Sequence, residues 1–440
     1  MNNLIYLLNI TVSGIKCIKG EVRFDFYKKT INREFDPEKY RIKAIYGENG
    51  SGKSAVVTAV KIFQDILLNN RYLNESKNQS FLDEIINKSA KTFRFSCEYL
   101  VTIGKERTAY RYTIELKKEP DGLYRIAHEE LKLKSGNYAN SNYKVIFESR
   151  YGELVFVDCG EENRERVKKL SMNLLSDNSL PGIYILNIDK LEDSGGGLLF
   201  HLALCLILAA TIRVYLADED QHELYFLRKV VREADENHTN LFKDIREEFE
   251  GSLTFLSVNE KIVPKKYYEE YREKVGRLTK FIKLFKQDLV SIEIEAKEDG
   301  ENYRCDLNLD YGDYLVNKEF ESTGIKKLIH LFDCFMAASD NGIVFIDEMD
   351  SNINDVYLCR LIEYFMFYGN GQLCFTTHNL DPMSILKENK NSIDFLSGDN
   401  RVVSWTARGN ASPDNYYRNG MIEDSPFNIY ATDFLEIFGK

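Results

Sequence analysis

The sequence predicts an α/β fold: a mixed sheet carrying a glycine-rich turn, an antiparallel β subdomain and a helical insertion. Three observations carry that prediction. The apolar run Ile42 to Tyr46 breaks at Gly47 into a glycine-rich turn, and Ala55 to Leu68 then places Val56, Val57, Val60, Phe63, Ile66 and Leu67 at helical spacing. Phe93, Phe95, Cys97, Tyr99, Val101 and Ile103 alternate with polar residues, and Tyr110, Tyr112, Ile114 and Leu116 repeat the pattern, which is the period of a sheet with one buried face. From Gly195 to about Leu289 the period turns helical, with Pro264 as the single proline.

Taken in order, Val22, Phe24 and Phe26 alternate as an opening strand, and the strand, glycine turn and helix of 42–68 follow. After the antiparallel hairpins and the helical stretch, Ile292 and Ile294 resume a strand. A compact α/β segment then runs to about Ser397, before a polar tail that contains glycine. The expected organisation is an N-terminal lobe over 1–190, a helical insertion over 195–289, and a C-terminal lobe over 290–440. The most apolar stretch, Leu198 to Ala210, falls short of the roughly 20 residues a membrane span needs, so it reads as a buried helix and no membrane partner is expected. If the insertion stands out from the head, that apolar face requires cover, and the insertion becomes the expected site of assembly or partner contacts. Sustained heptads are missing from it, which argues against long coiled-coil arms.

Composition narrows the class. A chain of 440 residues with 44% hydrophobic and 29% charged residues is ordinary globular material for two or three domains. The net charge of -11 argues against coating nucleic acid by bulk electrostatics and leaves only regional contact with DNA. One such region is Lys261 to Lys286, rich in Lys and Arg and interleaved with Tyr267, Tyr268, Tyr271 and Phe281; a solvated amphipathic helix is the plainer reading of it. The eight cysteines are scattered without a C-x-x-C pair, as expected of a reducing, cytoplasmic setting, and the six histidines show no zinc spacing.

Gly47-Glu48-Asn49-Gly50-Ser51-Gly52-Lys53-Ser54 fits G-x-x-x-x-G-K-[ST] in full, between a strand and a helix where the chemistry requires it. Backbone N–H groups of such a loop cradle phosphates, Lys53 would reach the β/γ-phosphates of ATP, and the Ser54 hydroxyl would ligate Mg2+. The buried run Ile343 to Ile346 ends in Asp347 and Glu348; the first would hold Mg2+ through its water shell and the second would polarise the attacking water as general base. Ser322-Thr323-Gly324 opens a helix over Ile325 to Met336, offering a hydroxyl and a helix N-terminus to a γ-phosphate. Alone that is an ordinary helix start. Leu373 to Thr377 is a strand ending in His378, placed to contact the γ-phosphate. Each of the last two is weak; their order together with Asp350 is not.

These motifs resemble the cassette (ABC-type) ATPases related to chromosome-maintenance heads and to overcoming-lysogenization-defect proteins. Tyr46 to Ser54, Ser322 to Leu328, Asp347 to Asp350 and Gln372 to Asn379 look most like the small ATPases of PARIS-type or Septu-type anti-phage defence. The resemblance covers roughly 1–70 and 290–400. It implies a homodimer or higher homo-oligomer with composite ATP sites, in which Ser322 and Gly324 act on the nucleotide of the other subunit and Asp350 belongs to a loop that communicates between them. It also implies a sensor that answers a phage trigger protein and controls a separate toxic nuclease, Toprim-like or HNH-like. The competing reading is a DNA-repair or chromosome-associated ATPase that clamps DNA. Two departures stand out: Ile353-Asn354-Asp355 replaces the His-Pro often found after the acidic pair, and no glutamine marks a Mg2+-sensing loop.

Overall fold

The computed structural model describes residues 4–186, 196–216, 256–389, 391–406, 412–422 and 435–438. The alternating segments close into an antiparallel sheet in the order β2-β1-β4-β5-β6-β7-β8. Its strands are β1 (Leu4–Ser13), β2 (Val22–Asp25), β4 (Thr92–Ile103), β5 (Glu106–Lys118), β6 (Tyr124–Ser135), β7 (Lys144–Arg150) and β8 (Glu153–Val157). As the two-residue period requires, Phe93, Phe95, Cys97 and Tyr99 point to one face, joined by Tyr110, Tyr112 and Ile114 of the neighbouring strand.

A second sheet runs β17-β16-β3-β15-β14-β9, with β3 (Ile42–Tyr46), β9 (Ile212–Tyr215), β14 (Ile343–Ile346), β15 (Gln372–Thr376), β16 (Ile393–Leu396) and β17 (Val402–Ser404). The five strands from β16 to β9 pair in parallel; β17 adds an antiparallel edge. These parallel strands are nearly continuous apolar runs because both faces are covered. Along β14 the side chains divide by parity: Ile343 and Phe345 join the core on the side of the antiparallel sheet, Val344 and Ile346 the core on the other side.

The helix Lys53–Leu68 lies between the two sheets. It is buried almost all round, every residue but Ser54 and Asp65, and Phe63 packs against Phe95 (ring centroids 4.6 Å apart) and Tyr112 (5.5 Å). The helix Thr323–Ser339 covers the opposite face of the parallel sheet, with the helix Asp355–Tyr368 beside it. A small third sheet, β10 (Ile262–Pro264), β11 (Ser291–Asp299), β12 (Asn302–Asp310) and β13 (Leu315–Asn317), carries the helix Tyr268–Lys283.

The expected insertion over 195–289 is corrected by this arrangement. Gly196–Thr211 is a helix packed against Lys53–Leu68 inside the head, with Leu202, Leu204, Ile207 and Leu208 buried, and it leads straight into β9 of the central sheet. Gln64 of the helix Lys53–Leu68, which follows the glycine-rich phosphate-type loop (P-loop), fastens this junction, donating from Nε2 to the carbonyls of Ala209 (2.9 Å) and Ile212 (2.8 Å). A helix apolar on every side is satisfied by burial between layers, so its hydrophobicity marks core rather than a docking surface. Deleting 195–289 would therefore remove a strand of the central sheet. Within 256–289 the one long helix, Tyr268–Lys283, buries Tyr271, Val275, Leu278 and Ile282 and turns Arg272, Arg277 and Lys280 outward, which is the plainer amphipathic reading of that basic stretch. The rest of the expected insertion, 217–255, lies outside the described residues. Strands of 1–190 and of 290–440 share one sheet, since β3 pairs with both β15 and β16. No helix among the described residues is long and apolar enough to cross a membrane.

Candidate nucleotide site

β3 delivers Tyr46 to the carboxyl edge of the parallel sheet, where crevices of such sheets bind ligands. The chain leaves the strand through Gly47, whose Cβ, if it had one, would lie 2.3 Å from the Leu396 carbonyl oxygen. It enters the helix through Gly52 at φ +109, where a Cβ would come within 2.8 Å of Ile18. Glu48, Asn49 and Gly50 are exposed at the mouth of the loop. Lys53 is buried and donates from Nζ to the carbonyls of Gly47 and Glu48, both at 2.9 Å, so its ammonium spans the concavity. Burial lowers its pKa, and the carboxylates of Asp347, Glu348 and Asp350 pull it back up. Ser54 is half-buried in the first helical turn.

The acidic pair closes the site from β14. Asp347 is buried and accepts a 2.6 Å hydrogen bond from the Thr376 hydroxyl; the same hydroxyl oxygen accepts the Glu348 N–H at 2.7 Å. Thr376 ends β15, which lies between the P-loop strand and β14, and so ties the acidic turn to the strand that carries His378. Glu348 itself is exposed, with its backbone at φ +48, a left-handed conformation uncommon for a residue with a Cβ. The Lys327 ammonium grips this turn from the helix Thr323–Ser339, the signature helix that Ser322-Thr323-Gly324 opens, donating to the Glu348 carbonyl and to the Ser351 hydroxyl. Burial pushes Lys327 down to about 8, against the pull of Asp350, Glu348 and Asp347.

His378 is exposed just beyond β15, and its N–H donates to Asp350 Oδ2 at 3.3 Å. Burial and then Lys53 lower the imidazole's pKa, with Asp350, Glu348 and Asp347 opposing, so the ring is kept toward its neutral form. The structure thus gathers Lys53, Asp347, Glu348, Asp350 and His378 into one electrostatic neighbourhood.

Ser322 and Gly324 are placed differently. Ser322 is the exposed N-cap of the helix Thr323–Ser339, accepting from the Ile325 N–H at 3.4 Å, and a Cβ on Gly324 would lie 2.7 Å from the Asn352 carbonyl oxygen. Gly324 abuts the acidic turn of its own chain, and neither residue lines the cavity beside the P-loop. That cavity is lined by Tyr46, Gly47, Glu48 and Asn49, by Thr377, His378 and Leu380, and by Tyr417 and Arg418. Sequence reasoning missed Thr376, Lys327, Tyr417 and Arg418. Thr376 and Lys327 lie inside the quoted motifs and were legible there as polar residues at the end of an apolar strand and on the buried side of a helix; the polar tail gave no such signal for Tyr417 or Arg418. Gln79 is structural, its amide donating to the Leu73 and Tyr124 carbonyls.

A P-loop between strand and buried helix, with an acidic strand end two strands away and a histidine-bearing strand between them, defines a P-loop-type α/β head. No protein family's sequence profile matches the chain, and no curated protein matches it significantly. A solved structure described as "Structure of the recombination mediator protein RecF-ATP in RecFOR pathway" aligns with 92% of this chain and 100% of that chain, at 15% identity and a TM-score of 0.38.

Proposed function

We propose that this protein binds and hydrolyses ATP as an ABC-type ATPase that pairs on nucleotide. The observation that carries the reading is the meeting of Lys53, Asp347, Glu348, Asp350 and His378, distant in sequence, at one carboxyl edge of a parallel sheet. The residues fit the ligand on their own terms: the Ser51 hydroxyl is buried in the loop without a hydrogen-bond partner, and Asp347 keeps one carboxylate oxygen beyond the Thr376 bond. Ser54 and Asp347 would hold Mg2+, which when bound shields phosphate charge. Lys53 and the loop N–H groups orient the triphosphate, Glu348 accepts the proton of the attacking water, and His378 donates toward the terminal phosphate. The exposed Ser322 at its helix N-terminus, taken with the resemblance of its motif, supports a composite site completed by the same motif of a second copy.

Single-turnover phosphate release, together with the mass of the Glu348→Gln protein with and without ATP, tests this. Expected are slow release by wild type and an ATP-dependent doubling of mass in the variant; a variant that stays monomeric with ATP bound removes the composite site from the reading. On the resemblance of its motifs we extend the proposal to a switch that answers a phage trigger and holds or releases a separate nuclease. Clamping of duplex DNA over paired heads is the rival. Nucleotide-dependent capture of the neighbouring gene product supports the first, and salt-dependent DNA retention by the purified protein alone supports the second.

A further inference from the structure

The helix Pro413–Arg418 lies outside every motif, yet it forms one wall of the P-loop cavity. Tyr417 anchors it: the ring is 7% exposed and stacks on Phe395 of β16 with centroids 5.4 Å apart. β16 is hydrogen-bonded to β3, the strand that feeds the P-loop, so the anchor fixes the next residue relative to the loop. That residue is Arg418. It is exposed, lines the cavity with Gly47, Glu48, Asn49 and His378, and forms no ion pair or hydrogen bond among the described residues. The Tyr46 hydroxyl, from a residue 1% exposed, lines the same cavity and is buried without a partner.

Of the cations near this end of the loop, Lys53 bonds to the loop's own carbonyls and the Lys327 ammonium is committed to the acidic turn, whereas Arg418 has no such partner among the described residues. A triphosphate adds several more negative charges, and a guanidinium matches phosphate oxygens with paired donors. We propose that Arg418 is a nucleotide-contacting residue, supplied by the same chain, that pairs with the terminal phosphate of a bound nucleoside triphosphate and discriminates it from the diphosphate. This deepens the ATPase reading and rests on it.

The test compares ATP and ADP affinity, turnover and melting temperature in the full chain for wild type, Arg418→Gln and Arg418→Lys. The expected result for Arg418→Gln is ADP affinity within twofold of wild type, ATP affinity lower by about tenfold, turnover lower by about tenfold or more, and an unchanged melting temperature, with Arg418→Lys recovering part of the loss. Equal loss for ATP and ADP, or unchanged ATP affinity and turnover, overturns the proposal while leaving the ATPase reading standing. Wild type that binds neither nucleotide overturns both.

Discussion

The P-loop and the acidic turn meet at the same candidate nucleotide site but are built by opposite means. The P-loop takes its shape from residues within itself: Gly47 and Gly52 allow close approaches and backbone angles that a Cβ would obstruct, and Lys53 bonds to carbonyls five and six residues back. The acidic turn holds a left-handed Glu348 with no glycine, through contacts from elsewhere: Thr376 from the neighbouring strand and Lys327 from the signature helix. One loop is programmed locally. The other is imposed by its surroundings, which makes it the natural place for a second element to influence catalysis.

Substitutions separate the two designs. Lys53→Ala should have the largest effect, abolishing measurable nucleotide binding in titration with a fluorescent ATP analogue, since the β/γ-phosphates lose the only P-loop ammonium. Micromolar affinity in that variant would break the assignment of the loop.

Glu348→Gln comes next. Binding should persist while turnover falls by roughly 100-fold, the scale of a missing general base, as read from steady-state phosphate release. Turnover at the wild-type rate would move the base elsewhere.

Lys327→Met sharpens the contrast, because the lysine bonds to the Glu348 carbonyl and the Ser351 hydroxyl and so acts on the turn that presents Glu348 rather than on its carboxylate. Turnover should fall by about tenfold, the scale of releasing one strained residue from its brace, with ATP affinity unchanged. Parallel loss of affinity and activity would show instead that the lysine merely maintains the fold. The same variant has a signature in pH. The folded chain binds this proton less tightly, at about 8 against an ordinary 10.5, so between those values the unfolded chain holds more protons and stability rises with pH. Urea unfolding at pH 8 and pH 10 should show that rise diminished in Lys327→Met relative to wild type.

Thr376→Val should be the mildest in turnover, a few-fold, while costing about 1–3 kcal/mol in urea unfolding because the buried Asp347 carboxylate and Glu348 N–H both lose their partner. A variant as stable as wild type would mean that the link between β14 and β15 is dispensable.

The sequence by itself determined the elements whose information is local. The eight residues of the P-loop, the alternation of β4 and β5, the apolar run closed by Asp347 and Glu348, and the Ser322 helix start are all short-range patterns, and each is present in the structure. Tertiary structure alone decided where Gly196–Thr211 goes, because hydrophobic periodicity reports that a surface is buried and not against what. An all-apolar helix satisfies the same pattern in an oligomer interface or between two layers, and only the pairing of β9 with β14 places it in the head. The partners of Thr376 and Lys327 were undetermined, since they lie 28 and 21 residues away in the chain, and so was the cavity that Arg418 lines with the distant Gly47. A polar side chain acquires its role from the partner the fold supplies, and local sequence does not specify that partner.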